Sequence, residues 1–394
     1  GTRPGGVAAT ITEDGYTLEP AAGSFLLPQP GLTPLVVGEV EPAAPSARVR
    51  HIWDGQRRIT ITPGPQALLA PLVSPVAKLR AAAEVLVPGE PVGPDESLDR
   101  FLRRRFGDEA GRTAAWLAAS GVFAGDPALL SADAAFPTLT SAAAGGSLVL
   151  SMLSGRQRAT PRTMYVPRTT MTDLAEALAR PLGDRLRLSA TVDAVRRDGS
   201  AWVIDGTERL TADHVVLTTS PDATAGIVGS ELGSLLTGPV RAPVVVVGLG
   251  GSGLSVPEGF GILAGPDAGT ATRGVLLESS YAHHRAPAGT GLVKVIAGGL
   301  PDPSITEEDD HTVVETVGTE VARMLGHDIE VSFTRVVRHS PGIPQYTLGH
   351  RDWLHTVESA VPESLHLTGW GYRGVGLGHL AADAARVADR IAAA

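Results

Sequence analysis

The residues with the clearest potential for chemistry lie near the C-terminal end of the sequence. Glycines at positions 369, 371, 374, 376 and 378 follow the apolar run Leu365-His366-Leu367 and precede apolar residues spaced as on one helix face. Gly374 and Gly376 let the backbone approach a ligand closely, and the helix start offers free N–H groups and the positive end of its dipole. The pattern predicts a site for an anion or an electron-rich ring, although the packing of a C-terminal helix gives the same pattern.

A second glycine-rich stretch has the G-x-G-x-x-G spacing of dinucleotide sites. It runs from Gly248 to Gly253 after the apolar run Val244-Val245-Val246-Val247. A dinucleotide site requires a helix directly after the turn, and Pro257 and Gly259 break any helix there before its second turn. We therefore interpret this stretch as part of an antiparallel sheet.

Other kinds of catalytic centre lack candidate residues. The chain has no cysteine, which excludes disulfides, thiolate metal ligands and cysteine nucleophiles. The 11 histidines are scattered apart from His283-His284, so no metal site is predicted. The net charge of -9 argues against a nucleic-acid partner, and no apolar run reaches the roughly 18 residues of a membrane-spanning helix. Redox chemistry would therefore depend on a bound cofactor.

The elements that must position these residues follow a mixed α/β pattern. Asp14-Gly15 and Asp54-Gly55 predict hairpins, and residues 67–155 have mostly helical periodicity. A helix is expected from Met171, followed by strands at Arg185–Ser189, Val192–Val195 and further on. Residues 236–340 predict a second sheet with one helix over Asp309–Leu325. With 394 residues, the chain is long enough for two or more domains.

Several motifs carry a resemblance to a known family. The run Ser340-Pro341-Gly342-Ile343-Pro344-Gln345-Tyr346-Thr347-Leu348-Gly349-His350, followed by Leu367-Thr368-Gly369-Trp370-Gly371-Tyr372-Arg373-Gly374-Val375-Gly376, closely resembles the C-terminal signature of FAD-dependent protoporphyrinogen oxidases, which are similar to flavin amine oxidases. Gly15–Glu19, Gly121–Asp126 and Gly259–Leu263 follow the family in the same order, so the resemblance covers nearly the whole chain.

The resemblance implies a fold with three parts. An α/β FAD-binding domain of Rossmann type would comprise residues 1–45, 165–235 and 340–394. A mixed-sheet substrate domain would comprise 46–70 and 236–339, and a helical insert that contacts a membrane peripherally would comprise 71–164. Arg3-Pro4-Gly5-Gly6 resembles the segment that follows the first βαβ unit of such flavoproteins, and that unit is absent from this sequence. The sequence is therefore expected to be a fragment, or a chain that has lost the unit that makes the main contacts to FAD.

The implied activity is the oxidation of protoporphyrinogen IX to protoporphyrin IX, with FAD accepting hydrides and O2 reoxidising it. No catalytic side chain is expected, because the flavin carries the chemistry. Coproporphyrinogen III is the alternative substrate, and a flavin amine oxidase or an inactive, cofactor-free porphyrin-binding relative are alternative functions. Ferrochelatase as a partner, a homodimer, and a cytoplasmic location at the inner membrane face are further implications.

The resemblance also assigns site residues. Arg50 occupies the position of an arginine that binds a substrate propionate, a role suited to the bidentate guanidinium. The ring walls would come from Phe123, Ala124, Gly125, Leu263, Tyr281 and Ala282, where Ala282 replaces a common aromatic residue. The cofactor would contact Arg3, Gly5, Gly6, Val192, Thr218, Trp370, Gly374, Val375 and Gly376. Thr169-Thr170 replace the usual glycine pair before the Met171 helix.

Overall fold

The structure is a computed structural model that describes residues 1–62, 70–93, 95–153 and 162–393. Its strands are β1 Ile11–Glu13, β2 Tyr16–Leu18, β3 Phe25–Leu27, β4 Val40–Pro42, β5 Arg50–Trp53, β6 Arg58–Ile61, β7 Thr163–Pro167, β8 Val192–Asp198, β9 Ala201–Gly206, β10 Leu210–Ala212, β11 Val215–Leu217, β12 Arg241–Gly251, β13 Gly261–Ala264, β14 Thr272–Leu276, β15 Gly291–Gly298, β16 Phe333–Pro344 and β17 Leu365–Leu367. Its helices are α1 Thr33–Val36, α2 Pro75–Ala82, α3 Leu98–Phe106, α4 Asp108–Phe123, α5 Ala132–Ala135, α6 Pro137–Ala144, α7 Leu148–Leu153, α8 Met171–Ala179, α9 Pro221–Ala225, α10 Ser230–Leu236, α11 Glu278–Tyr281, α12 Asp310–Leu325, α13 His350–Ala360, α14 Trp370–Arg373 and α15 Leu377–Ala393.

The largest sheet has seven strands in the order β16-β12-β15-β14-β13-β5-β6. Its neighbours pair antiparallel except β13 and β5, which pair parallel. The second glycine-rich stretch lies in β12 as far as Gly251, and β12 pairs antiparallel with β15 and β16, so its interpretation as part of an antiparallel sheet is confirmed.

One face of this sheet is closed by α12. Val313, Val317 and Val321 repeat every four residues along α12 and are fully buried against the valines of β12 and β15. The carboxylate of Asp309 accepts a hydrogen bond from the Thr312 N–H and caps the start of this helix. The opposite face of the sheet is only partly covered.

The helical insert is organised around a buried ion pair. Arg105 of α3 and Glu84, which follows α2, are fully buried and in contact. The Glu84 carboxylate also accepts hydrogen bonds from Ser147 Oγ and from the N–H groups of Leu148 and Val149 at the start of α7. The pair therefore joins three helices of the insert.

Smaller sheets complete the fold. β3, β7 and β4 form one sheet, β10, β9 and β8 a second, and β11 pairs parallel with β17. Both predicted hairpins are present, at Asp14-Gly15 and Asp54-Gly55. The strand predicted at Arg185–Ser189 is wrong, because this segment leaves a short 3-10 helix and reaches Ser189 with a φ of 55°. Among the described helices, none is long and apolar enough to cross a membrane.

Candidate functional site

The C-terminal glycine segment forms a tight turn between α14 and α15. Gly369 and Gly374 have φ values of 130° and 119°, which side chains of L-residues rarely allow. A Cβ at Gly374 would lie 2.5 Å from Cβ of His379, so a side chain there would also collide with the first turn of α15. Both glycines are therefore required by the backbone path.

The turn presents unpaired donors at the start of the 17-residue α15. The N–H groups of Val375, Gly376 and Leu377 have no hydrogen-bond acceptor among the described residues, whereas those of His379 and Leu380 donate to the Gly376 carbonyl. Free amides and a helix dipole at one place favour an electron-rich group.

Tyr346 fixes the start of this turn. Its hydroxyl donates to the Trp370 carbonyl over 2.5 Å and accepts a hydrogen bond from the Gly374 N–H. Burial raises the pKa of Tyr346, so the phenol stays protonated. The ring stacks on His350, with centroids 4.3 Å apart, and His350 donates Nε2–H to the Tyr372 carbonyl at 2.9 Å.

A cavity of about 410 Å³ joins the turn to the helical insert. Phe123 and Val122 line it from α4, Gly374 and Val375 from the turn, and Tyr346 from between them. The structure therefore brings together one predicted wall residue, Phe123, and two predicted cofactor residues, Gly374 and Val375.

The rest of the predicted wall at the end of α4 is held by Gln345. The buried Gln345 side chain donates Nε2–H to the carbonyls of Phe123, at 2.8 Å, and Ile343. A Cβ at Gly125 would lie 2.3 Å from Gln345 Oε1, so no larger residue fits there without displacement. Ala124 is 2% exposed, and its carbonyl accepts the Leu300 N–H.

Arg50 and Leu263 lie on the partly covered face of the seven-stranded sheet, opposite α12. Cross-strand partners share a face, and the pairings place Arg50 and Leu263 with Leu276 and Ile296 on the side opposite α12. Leu263, Leu276 and Ile296 are half-buried, whereas Ile262 on the other face is 1% exposed. A Cβ at Gly121 would lie 3.4 Å from Leu263 Cδ2, so this apolar face adjoins the end of α4.

Arg50 itself carries an uncompensated charge. Its guanidinium lies over the Phe260 ring and donates to the carbonyls of Ala47 and Val49. No carboxylate of the described residues forms an ion pair with it. Burial lowers its pKa, which is the expected result for a cation without a counterion.

Tyr281 and Ala282 do not reach this face directly. Both are buried in a cluster with Ala47 and Val166, and the Tyr281 ring packs against Phe260 at 5.0 Å. Tyr281 thus supports the ring over which Arg50 lies. Phe260 was not among the site residues predicted from the sequence, although it stands within the Gly259–Leu263 motif.

The predicted cofactor residues near the N-terminus form one loop that packs on α8. Arg3 donates to the carbonyls of Ala8 and Gly6 and closes its own loop, and Gly5 packs on Ala175 of α8. Ala8 shares an apolar cluster with Leu377 of α15.

Thr218 lies against Gly369, the residue before Trp370, because a Cβ at Gly369 would lie 3.3 Å from the Thr218 carbonyl oxygen. Val192 lies at the start of β8 and is 40% exposed. Of the predicted cofactor residues outside the glycine turn, Thr218 and Trp370 thus adjoin the C-terminal segment, whereas Arg3, Gly5 and Gly6 lie in the loop on α8.

A buried charge network was not anticipated from the sequence. Lys294 of β15 forms an ion pair with Glu278 at 3.2 Å and donates to the Glu19 carbonyl at 2.7 Å. Arg285 pairs with Glu278 and donates to the Gly23 carbonyl. The Glu19 carboxylate accepts the Met171 N–H, and burial raises its pKa. The sequence signal for this network was Lys294, the one charged residue in the otherwise apolar strand β15.

The whole chain matches one protein family. The model for flavin containing amine oxidoreductases aligns with residues 1–392. The chain belongs to this family. Its cofactor is FAD and it is an FAD-dependent oxidoreductase, so the mixed α/β fold, the cofactor and the enzyme class expected from the sequence are confirmed.

Named relatives of this flavin amine oxidoreductase are porphyrinogen oxidases. It is 26% identical to coproporphyrinogen III oxidase of Bacillus subtilis (strain 168), over 95% of this chain and 86% of that protein. It is 28% identical to the chloroplastic protoporphyrinogen oxidase of Oryza sativa subsp. japonica, over 99% of this chain and 81% of that protein.

Solved structures show the same fold. A protein assigned as a protoporphyrinogen oxidase, from Exiguobacterium sp. 255-15, superposes with a TM-score of 0.79 at 22% identity, over 99% of this chain and 91% of that one. Putrescine oxidase bound to putrescine superposes with a TM-score of 0.70 at 17% identity, over 100% of this chain and 92% of that one.

The donors of the glycine turn fit the flavin ring of FAD. Free N–H groups at Val375, Gly376 and Leu377 match its electron-rich carbonyl edge, and the absence of side chains at Gly374 and Gly376 allows close approach. When bound, FAD supplies hydride acceptance. The chain's own residues would hold it through these amides, exclude water with Phe123 and Tyr346, and leave the partly covered sheet face for a substrate.

Proposed function

We propose that this flavoenzyme oxidises a porphyrinogen to the corresponding porphyrin, with protoporphyrinogen IX as substrate and O2 as terminal acceptor. Removal of six hydrogens from the macrocycle would reduce three molecules of O2 to hydrogen peroxide. The names of the relatives support this class of substrate. The observation that carries the proposal is the half-buried Arg50, without a carboxylate partner among the described residues, beside a partly open apolar sheet face.

Each part of this face has a role in the proposal. Leu263, Leu276 and Ile296 would pack against the flat apolar macrocycle, which gains stability from leaving water. The guanidinium of Arg50 would pair with a propionate, since a carboxylate restores the counterion that the site lacks. Phe260 supports the guanidinium through a cation–π contact of 4.4 Å to the ring centroid.

Coproporphyrinogen III is the alternative substrate, because it carries propionates where protoporphyrinogen IX carries vinyl groups. The FAD-loaded chain should be mixed with each porphyrinogen in turn and with putrescine, and porphyrin fluorescence, flavin absorbance and peroxide should be recorded. We expect flavin bleaching under anaerobic conditions and porphyrin formation in air, faster with protoporphyrinogen IX. Oxidation of putrescine alone would overturn the proposal in favour of an amine oxidase.

The helical insert supports a peripheral membrane contact as part of the same proposal. Val76 and Leu79, one turn apart on α2, and Leu86 are 75%, 73% and 82% exposed. We expect the chain to sediment with anionic lipid vesicles and to lose this binding when all three residues are changed to serine. Failure of the unaltered chain to sediment would exclude the contact.

A further inference from the structure

Tyr346 stands between the two halves of the candidate site. Its ring contacts Phe123 edge-on, with centroids 5.6 Å apart, and its carbonyl accepts the Ser131 N–H at 2.9 Å. Both partners belong to the helical insert. Its hydroxyl bonds instead to Trp370 and Gly374 of the glycine turn. One side chain therefore links the predicted substrate wall to the glycine turn.

The geometry of the turn explains why such a link matters. Gly374 has a φ of 119°, but without a Cβ its backbone could adopt many other conformations if nothing held it. The N–H groups of the next residues, Val375 and Gly376, have no hydrogen-bond acceptor among the described residues. A fixed Gly374 would hold these donors in place before a ligand arrives, and preorganised donors bind and act better than mobile ones.

We propose that Tyr346 is a positioning residue, whose hydroxyl bridges the Trp370 carbonyl and the Gly374 amide and so presents the amides of Val375 and Gly376 to the flavin. This inference rests on the proposed placement of the flavin ring at the turn. It assigns no contact between Tyr346 and a reacting atom.

The aromatic packing gives the link its stiffness. Tyr346 is 2% exposed and lies between Phe123 and His350, so its ring cannot move without displacing one of them. The adjacent Gln345 holds the Phe123 carbonyl. Replacing Tyr346 by phenylalanine would keep these contacts and remove only the hydroxyl.

The test is Tyr346→Phe, measured by amide hydrogen exchange of the peptide that contains Gly374 and by FAD titration. Loss of one buried hydrogen-bond partner should speed Gly374 exchange about tenfold and weaken FAD binding about tenfold. Thermal unfolding should confirm that the variant remains folded.

Tyr372→Phe is the matched control. It removes another buried tyrosine hydroxyl, bonded to Thr224 Oγ1, and leaves the Gly374 N–H paired. Exchange at Gly374 should be unchanged in this variant. Unchanged exchange and FAD affinity in Tyr346→Phe would overturn the inference. Both readouts are independent of porphyrinogen turnover. A failure of the proposed substrate can therefore be distinguished from a failure of the positioning role of Tyr346.

Discussion

The guanidinium carbon of Arg50 lies 4.4 Å from the centroid of the Phe260 ring, which in turn packs on Tyr281. A guanidinium above an aromatic face is attracted to the ring, but the ring does not neutralise its charge. The arrangement orients a cation and leaves it free to bind an anion. This is the feature of the site that most directly suggests a carboxylated substrate.

Arg50→Ala should therefore weaken substrate binding more than turnover. A propionate contact is made alike in the ground and transition states, so KM should rise about tenfold while kcat changes little. Steady-state kinetics with protoporphyrinogen IX provides the measurement. Arg57→Ala is the control, because Arg57 lies on the same hairpin and pairs with Asp54. A fall in kcat alone in Arg50→Ala would contradict the propionate role.

Gly125→Ala should destabilise the wall at the end of α4. The new methyl group would lie 2.3 Å from Gln345 Oε1, and Gln345 is held by two donated hydrogen bonds. Overpacking of this kind typically costs about 1–3 kcal/mol, measurable by urea unfolding. Gly121→Ala in the interior of α4 meets only Leu263 at 3.4 Å and should be neutral or slightly stabilising. Equal stability of the two variants would contradict this packing.

Local patterns in the sequence predicted much of this fold. The hairpin at Asp14-Gly15, the glycine turn before α15 and the strand at Val244–Val247 each follow from residues close together in the chain. Such features depend on backbone conformation and on periodic burial, which a sequence displays directly. Arg185–Ser189 shows the limit, since its alternation resembles a strand but the Ser189 N–H donates to the Gly1 carbonyl instead of a neighbouring strand.

The site could be predicted only in part because its contacts are distant in sequence. Tyr346 lies 28 residues from the Gly374 amide, and Lys294 lies 275 residues from the Glu19 carbonyl. No local period encodes such pairs, which arise from the packing of separate elements. The family resemblance predicted which residues belong to the site. The structure adds Phe260, Gln345 and Tyr346, which contact Arg50, Phe123 and Trp370 respectively and hold them in place.

Glu84→Gln should strongly destabilise the helical insert. The change would leave the fully buried Arg105 guanidinium without a counterion. Removal of one partner of a buried pair costs about 3–5 kcal/mol, which urea unfolding at pH 7 would detect. Glu90→Gln is the control, because Glu90 is 59% exposed in its pair with Arg104 and should cost less than about 1 kcal/mol.

The same carboxylate should contribute to acid lability. Burial opposes its ionisation, but hydrogen bonds from Ser147, Val149 and Leu148 and the charge of Arg105 outweigh burial and lower the pKa of Glu84. A carboxyl with a lowered pKa in the folded state stabilises above its unfolded pKa, and this contribution is lost as the pH falls through its folded value. The free energy of unfolding, measured by urea unfolding at several pH values, should therefore fall less steeply with decreasing pH in Glu84→Gln than in the unaltered chain. An equally steep fall in both would contradict this role of Glu84.

The stacked pair His214 and His366 should make stability fall at mildly acidic pH. Nδ1 of His214 and Nε2 of His366 share a hydrogen bond at 3.2 Å, which requires one nitrogen to be unprotonated. Burial, then the nearby His214, Arg390 and Arg386, lowers the pKa of His366. The unfolded chain therefore binds a proton that the folded chain resists, and stability should decline as the pH drops below about 6.5.

His366→Gln should flatten this decline between about pH 7 and pH 5, because glutamine retains hydrogen-bonding capacity without titrating. Urea midpoints collected at several pH values give the measurement. His311→Gln, at an exposed position on α12, is the control and should leave the decline unchanged. His214 immediately precedes β11 and His366 lies in β17, and these paired strands lead into Thr218 and, through Thr368, into Gly369. Acid loosening of this pair should therefore also weaken FAD binding. Equal pH dependence of FAD affinity in His366→Gln and the unaltered chain would show that the histidine pair does not support the glycine turn.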